Sequence, residues 1–190
     1  MYEFEISIGT APVSKYRWLA RIFMRGKMLS ALLPLLLAAG TASAADKEPF
    51  VLLELGAAGE WSLNGGGPGF GPTAAIEFTA IRNWLAIEPG VTTLMSRGQT
   101  EWDTSFVFRK PFDLSPAVEF EPGIGPVWIH TVGNGRTTDS IYLEAAAHFE
   151  IWPTPDRKYG WFLEPTYTCS FGSGHEQSLG VGAGLLIPIE

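Results

Sequence analysis

The sequence predicts an all-β fold, a single closed antiparallel up-and-down β-barrel of about eight strands that follows a cleavable signal peptide. From Pro49 onward, apolar and polar residues alternate with a period of two, which is typical of strands that have one apolar face. The alternating segments are separated by Gly, Pro, Asn and Asp, and no apolar stripe at helical spacing lies between them. These observations favour strands and turns over helices.

The N-terminal residues have the three parts of an export signal. Met24–Lys27 is basic, Met28–Ala39 is an apolar run of 12 residues, and Ala42–Ala44 is a small-residue cleavage site. The apolar run is shorter than the roughly 20 residues of a membrane-spanning helix, so a permanent helical anchor is the less favoured interpretation. We expect a leader or over-called start at 1–23, a signal peptide at 24–44 and a β-barrel domain at 45–190.

Composition and charge exclude several classes of function. The 190 residues include 13 basic and 20 acidic side chains, and removal of residues 1–44 leaves 8 basic and 18 acidic ones, a net charge of −10. Because no run of Lys or Arg is interleaved with aromatic residues, a nucleic-acid partner is not expected. Cys169 is the single cysteine, so neither an internal disulfide nor a Cys-rich metal site can form. No cofactor is expected.

The alternating segments give the predicted strands. Alternation is clearest in Val118–Trp128, Ile141–Ile151 and Trp161–Phe171, where one parity is mostly apolar and the other polar or small. Each predicted strand is long enough to cross a bilayer at a tilt, which takes about 9 to 11 residues. The predicted strands lie near residues 50–61, 70–81, 84–95, 100–110, 117–129, 139–152, 159–171 and 176–188.

The predicted connections fall into two groups. The second, fourth and sixth are compact or rich in proline, and they are Arg82–Asn83, Pro111–Pro116 and Pro153–Lys158. The first and fifth are longer and rich in glycine, and they are Ser62–Gly69 and His130–Ser140. The third connection, near Ser96–Gln99, is short as well. In an up-and-down barrel the even-numbered connections lie at one end and the odd-numbered ones at the other.

Alternation alone fits either a membrane barrel with its apolar face outside or a soluble barrel or sandwich with its apolar face inside. The polar parity consists mainly of Ala, Gly, Thr, Ser and Glu, which favours a narrow interior, because a water-facing surface normally carries Lys and Arg. Tryptophans near strand ends favour a membrane barrel, since aromatic girdles lie at membrane interfaces. Four share the apolar parity and form the predicted aromatic girdle, namely Trp61, Trp102, Trp128 and Trp161, whereas Trp84 and Trp152 do not.

With its signal sequence, amphipathic strands and aromatic rims, the chain resembles the small eight-stranded outer-membrane β-barrel proteins of the outer-membrane protein A type. The resemblance implies a Gram-negative outer membrane, both termini in the periplasm, and the 62–69 and 130–140 loops outside the cell. It also implies outer-membrane lipid and the barrel-assembly machinery as partners. Such barrels usually end on an aromatic residue, whereas this chain ends Ile187-Pro188-Ile189-Glu190.

A glutamate recurs on the polar parity of the odd-numbered strands. Glu54 is followed by Glu88, Glu121 and Glu164 at spacings of 34, 33 and 43 residues, which places the four at a similar height in a closed barrel. The predicted lumen site has an acidic cluster of Glu54, Glu77, Glu88, Glu121, Glu150 and Glu164, with Arg109, Tyr142 and His148 as partners. One guanidinium cannot neutralise this many carboxylates. The lumen is therefore expected either to form a hydrogen-bonded plug or to hold a cation, of unspecified identity.

Three functions fit these observations. The favoured one is an outer-membrane β-barrel with an acidic, largely filled lumen and a structural or narrow, porin-like, cation-preferring solute role. The alternative is a periplasmic lipocalin-like ligand-binding barrel, and the third is an outer-membrane lipid-modifying hydrolase. An enzyme is not expected, because the lipid deacylases that share this architecture place a His and a Ser on the lipid side. Here His148 has the polar parity, His130 and His175 lie at strand ends, and Ser173 and Glu176 beside His175 are expected to be solvated.

Overall fold

A computed structural model describes residues 50–65, 67–171 and 175–189. The predicted leader and signal peptide lie outside these residues. Within them, no helix is long and apolar enough to cross a membrane. The described chain is built from strands and turns, which are β1 (Val51–Ser62), β2 (Gly69–Ile81), β3 (Leu85–Ser96), β4 (Gln99–Arg109), β5 (Phe112–Ser115), β6 (Val118–Gly133), β7 (Arg136–Ile151), β8 (Gly160–Ser170) and β9 (Gln177–Ile189).

The strands form one closed antiparallel sheet. Consecutive long strands pair as hairpins, β1 pairs with β9, and β4 pairs with β6, so the sheet has no free long edge among the described strands. Since β4 and the short β5 pair with successive parts of the same neighbour, they act as one interrupted strand. The fold is therefore an eight-stranded β-barrel, and the predicted all-β closed antiparallel barrel is confirmed.

The interruption between β4 and β5 follows from Pro111. Proline has no backbone N–H and cannot continue the ladder of hydrogen bonds. Lys110 N–H still donates to Pro122 O at 3.1 Å, and pairing resumes with Phe112 opposite Phe120. The predicted connection at 111–116 thus contains a short strand.

The β6–β7 hairpin differs from its prediction. His130–Ser140, predicted as a long loop, is paired on both sides of a two-residue turn, with His130 opposite Asp139 and Gly133 opposite Arg136. Asn134 and Gly135 alone form the turn, with φ of 52° and 71°. Positive φ at both central residues is the geometry of a type I′ turn, which Asn-Gly favours. The long-loop prediction is wrong because this turn lets the flanking β-branched residues remain in the ladder.

The two ends of the barrel are distinct. Val51 at the start of β1 lies opposite Ile189 at the end of β9, so both ends of the described barrel domain are at one rim, called here the terminal end. The turns at Arg82–Trp84, Pro116–Ala117 and Trp152–Tyr159 share this end, whereas Arg97–Gly98, Asn134–Gly135 and the described residues 63–65 and 175–176 lie at the opposite, loop end.

The apolar parity of the strands faces outward and the polar parity faces the lumen. Outward side chains such as Phe106 and Leu163 are 41% and 43% exposed, whereas Glu54, Arg109 and Glu121 are 3%, 1% and 2% exposed. Burial of charged groups inside an apolar shell is the reverse of a water-soluble protein. Near the terminal end the lumen is closed by a small buried apolar cluster of Leu52, Trp152, Phe162 and Leu186.

Candidate functional site: a charged lumen

Arg109, the last residue of β4, is the centre of the lumen site. Its guanidinium is fully buried, and Nη1 donates to Glu54 Oε1 at 3.1 Å and to Glu77 Oε2 at 3.2 Å. Nη1 also pairs with Glu88, and Nη2 with Glu164. The four carboxylates come from β1, β2, β3 and β8, so one side chain crosslinks strands around much of the barrel. The delocalised charge and planar fork of Arg suit this multiple pairing.

His148 extends the network from β7. Its Nδ1 lies 3.0 Å from Glu164 Oε2, and its Nε2 lies 3.7 Å from Glu54 Oε1. The imidazole stacks on Phe162 with ring centroids 5.6 Å apart. A Cβ on Gly56 would lie 2.3 Å from Ala183 O and 2.9 Å from Phe162 Cζ, and one on Gly184 would lie 2.2 Å from Leu55 O and 2.6 Å from Phe162 Cε1, so both positions need glycine beside the neighbouring backbone and this ring.

A second group of carboxylates lies beside the first. Glu77, Glu121 and Glu150 each offer a carboxylate oxygen, and these three oxygens lie within 4.8 Å of one another. All three residues are buried, at 4%, 2% and 2% exposure. Trp152 Nε1 donates to Glu150 Oε2 at 2.9 Å. Glu121 Oε2 and Glu150 Oε1 have no hydrogen-bond partner among the described residues.

The structure thus brings together the six predicted glutamates with Arg109 and His148. Tyr142 does not join them, since its hydroxyl donates to Glu176 at the loop end. Glu119 is a further buried lumen carboxylate, and Arg157 from the β7–β8 turn donates to it at 3.2 Å. Six carboxylates around one guanidinium leave a formal excess of negative charge, and each uncompensated buried ion costs several kcal/mol.

A cavity of about 60 Å³ lies on the loop side of Arg109. This volume accommodates a few water molecules, since one needs about 10 to 15 Å³. Its lining includes the carboxylates of Glu54, Glu60, Glu88, Asp103, Glu144 and Glu164. Sequence reasoning missed Glu60, Asp103 and Glu144, although all three have the polar parity. Asp103, for example, precedes Arg109 by six residues on the same face of β4.

The predicted girdle tryptophans all face outward. Trp61, Trp102 and Trp128 lie toward the loop end, with Trp61 edge-on to Phe70 and the other two rings flanking His130 at 5.9 Å and 5.7 Å. Trp161 begins its strand near the terminal end. Trp84, outside the predicted girdle, is also exposed at that end, whereas Trp152 is 1% exposed in the lumen.

His130 and His175 lie at the loop end, away from the lumen. His130 Nδ1 lies 2.8 Å from Asp139 Oδ1, and its ring contacts Trp102 and Trp128. His175 is exposed with φ of 44°, and Ser173 lies outside the described residues. His148 is held by lumen carboxylates, away from the outer surface.

No protein-family model matches the chain, and no curated protein matches it. Among solved structures, Neisserial surface protein A is similar, with a TM-score of 0.59 and 16% identity over 73% of this chain and 96% of that chain. The attachment invasion locus protein Ail of Yersinia pestis has a TM-score of 0.48 and 13% identity, covering 74% of this chain and 99% of that one. The N-terminal β-barrel domain of Pseudomonas aeruginosa OprF has a TM-score of 0.49 and 13% identity, covering 72% and 97%.

The first of these similarities establishes the fold. With the closed strand order and outward apolar face, it shows that the chain has the architecture of the small eight-stranded outer-membrane β-barrels. The resemblance is one of architecture.

Proposed function

We propose that the chain is an integral β-barrel protein of the Gram-negative outer membrane, with an acidic, largely filled lumen and a structural role. The observation that carries this proposal is the facing of the strands. Large apolar side chains lie on the outside of every long strand, and the buried charges lie inside. In water such a surface would drive aggregation, whereas in a bilayer it is the required lipid-facing band.

The same facing argues against a periplasmic lipocalin-like barrel. A soluble ligand-binding barrel needs apolar side chains inside and polar ones outside. Here the centre of the lumen is occupied by Arg109 and carboxylates, and the apolar inward cluster at the terminal end has four members, Leu52, Trp152, Phe162 and Leu186. An apolar ligand would have to displace ion pairs. The lumen therefore supports a plug better than a ligand pocket.

A lipid-modifying hydrolase has less support. Such an enzyme needs a nucleophile and a base within hydrogen-bond reach of each other on the lipid side. His130 is the described histidine on the outward parity of a strand, and its nearest polar partner is the carboxylate of Asp139. We therefore propose a protein that is not an enzyme.

A second candidate role, a narrow cation-preferring path, is favoured by the cavity on the loop side. Its carboxylates would attract cations and repel anions. The terminal half of the lumen is filled by the Arg109 network and by Phe162 and Trp152. An eight-stranded barrel has an interior just wide enough for its own side chains. We accordingly propose the structural role first, with any conduction limited to small cations.

Export and orientation complete the proposal. The segment at 24–44 acts as a signal peptide, both ends of the barrel lie in the periplasm, and the loop end faces outside the cell. Outer-membrane lipid and the barrel-assembly machinery are the partners. The β6–β7 hairpin projects to the loop end on strands of 16 residues each, longer than the other described strands, as expected for an outer surface.

The test is envelope fractionation with gel mobility before and after boiling. Folded outer-membrane barrels resist unfolding in mild detergent at room temperature, so we expect the protein in the outer-membrane fraction with a mobility that changes on boiling. Mass spectrometry should find the mature protein beginning at or near Ala45. Recovery of folded protein from the periplasm without detergent would overturn the proposal.

A further inference from the structure

The group formed by Glu77, Glu121 and Glu150 has the geometry of a cation site. Their carboxylate oxygens lie within 4.8 Å of one another and come from β2, β6 and β7, which converge in the lumen. Ca²⁺ binds oxygens at about 2.3 to 2.6 Å, so two oxygens on one ion are at most about 5 Å apart. The three side chains can therefore reach a single ion without movement of the strands.

Two of these carboxylates have oxygen atoms without partners. Glu121 Oε2 and Glu150 Oε1 are buried and accept no hydrogen bond from any described residue. Arg109 reaches Glu77 at 3.2 Å, but no basic side chain in the described ranges pairs with Glu121 or Glu150. A buried carboxylate oxygen without a donor is costly, and a cation or a proton is the group that would satisfy it.

The site is held in place by its surroundings. The indole N–H of Trp152 fixes Glu150 Oε2 at 2.9 Å, and Oε1 of the same carboxylate has no hydrogen-bond partner among the described residues. Glu121 lies opposite His148 and Glu150 lies opposite Glu119 in the β6–β7 ladder, so the backbone sets their separation. Side chains on rigid strands make a preorganised ligand set.

A neighbouring group of three does not need an ion in the same way. Glu54, Glu88 and His148 also bring ligand atoms within 4.8 Å of one another. Arg109, however, already pairs with both of these glutamates, and its guanidinium is fully buried beside them. A cation there would lie next to a fixed positive charge. Glu121 and Glu150 have no such basic partner among the described residues, so the group of Glu77, Glu121 and Glu150 is the better cation site.

We propose that Glu77, Glu121 and Glu150 bind one hard divalent cation of the calcium type in the terminal half of the lumen, where it completes the plug. The inference rests on the proposed function, because it needs the barrel to be folded with its polar face inside. The remaining coordination positions are supplied by second carboxylate oxygens or water, as is usual for Ca²⁺. The competing occupant is a set of shared protons.

The test uses the full chain folded in detergent and stripped with a chelator at pH 8. At Ca²⁺ concentrations a hundred times the dissociation constant, the thermal midpoint of unfolding should rise by about 5 to 10 °C. Glu121→Gln and Glu150→Gln should each lose most of this rise. The matched control is Glu144→Gln, which removes the same charge from the loop-side cavity and should keep the rise.

A direct readout uses Tb³⁺, a luminescent substitute for Ca²⁺ that is excited through a nearby indole. Because Trp152 donates to Glu150, its indole is adjacent to the proposed ion. Luminescence excited through tryptophan should fall strongly in Trp152→Phe and in Glu121→Gln. The luminescence should persist in Trp161→Phe, since that ring faces outward. Excess Ca²⁺ should displace the bound Tb³⁺ and remove the signal.

Two outcomes would overturn this inference without overturning the proposed function. One is a midpoint that responds to acid but not to Ca²⁺ at pH 8, which would leave shared protons as the occupant. Another is an equal loss of the Ca²⁺ response in Glu144→Gln, which would mean diffuse attraction by the acidic lumen. Both measurements use protein whose gel mobility changes on boiling, which shows that the barrel is folded. A negative result for the cation site is therefore distinguished from a negative result for the membrane barrel.

Discussion

Arg109 Nη1 lies 3.1 Å from Glu54 Oε1, although the two residues are 55 positions apart and their strands, β4 and β1, do not pair with each other. The contact therefore crosses the lumen. With Glu77 and Glu164 on the same guanidinium, it ties β4 to strands that do not pair with it in the backbone ladder. These ion pairs therefore crosslink strands inside the closed sheet.

Replacement of Arg109 tests how much these ion pairs contribute to the stability of the barrel. Arg109→Met leaves four buried carboxylates without their counter-charge, and removal of one partner from a buried ion pair typically costs about 3 to 5 kcal/mol. Arg109→Lys should recover part of that loss, since it restores the charge but not the planar fork. Urea unfolding in lipid vesicles, followed by tryptophan fluorescence, measures both.

The control for this series is Arg157→Met. Arg157 lies in a turn at the terminal end and pairs with a single carboxylate, that of Glu119. Arg157→Met should therefore lower the free energy of unfolding by less than half as much as Arg109→Met. Equal losses for the two variants would contradict a central role for Arg109. A stable Arg109→Met barrel would mean that the surrounding carboxylates are already neutral.

Charges introduced on the outward face test which face meets lipid. Phe106→Lys and Leu163→Lys place an ammonium among exposed apolar side chains and should each cost about 2 to 4 kcal/mol if the residues lie near the bilayer midplane. Thr166→Ser, on the inward parity, should cost little. The measurement is unfolding in vesicles, and no penalty from either lysine would place the outward face in water.

The facing of the strands was predictable because a period of two fixes it throughout a strand. Once Glu54 is assigned to the lumen, Gly56, Ala58 and Glu60 follow, and one slip in register would reverse them all. The strand positions were accurate for the same reason. Turn residues marked the ends of most strands within a few residues.

The predicted loop at His130–Ser140 was wrong because glycine and asparagine near one another suggest a loop, whereas Asn134–Gly135 needs only two residues to reverse the chain. The lumen contacts were harder to predict. Height in a barrel depends on the stagger between strands, so Tyr142 and Glu144 share a face of β7 with His148, yet Tyr142 reaches Glu176 instead of Arg109. Parity gives the face of a residue but not its level.

The β6–β7 turn provides a test of local backbone geometry. Gly135 has φ of 71°, and a side chain there would cost about 1 to 2 kcal/mol, because left-handed backbone is unfavourable for residues with a Cβ. Gly135→Ala should therefore lower the free energy of unfolding by that amount. Gly182→Ala is the control, since Gly182 lies in β9 without a left-handed φ and a Cβ there would meet ordinary contacts of 3.5 to 4.0 Å. Equal effects would argue against the turn geometry.

Phe162 provides a test of whether the lumen conducts. Its ring lines the loop-side cavity, stacks on His148 and belongs to the apolar cluster with Leu52, Trp152 and Leu186. The ring thus lies between the cavity and the closed terminal end. Wild-type protein in planar bilayers should accordingly have a very small conductance, and any current should prefer cations because the cavity lining is acidic.

Phe162→Ala should increase that conductance while keeping the preference for cations, since it removes the ring and leaves the carboxylates of Glu54, Glu88 and Glu164 in place. Loss of a buried aromatic ring costs about 3 to 5 kcal/mol, so the variant is used only if its gel mobility still changes on boiling. Phe106→Ala, on the outward face, is the matched control and should leave the conductance unchanged. A preference for anions, or an equal rise in both variants, would mean that current does not pass through this lumen.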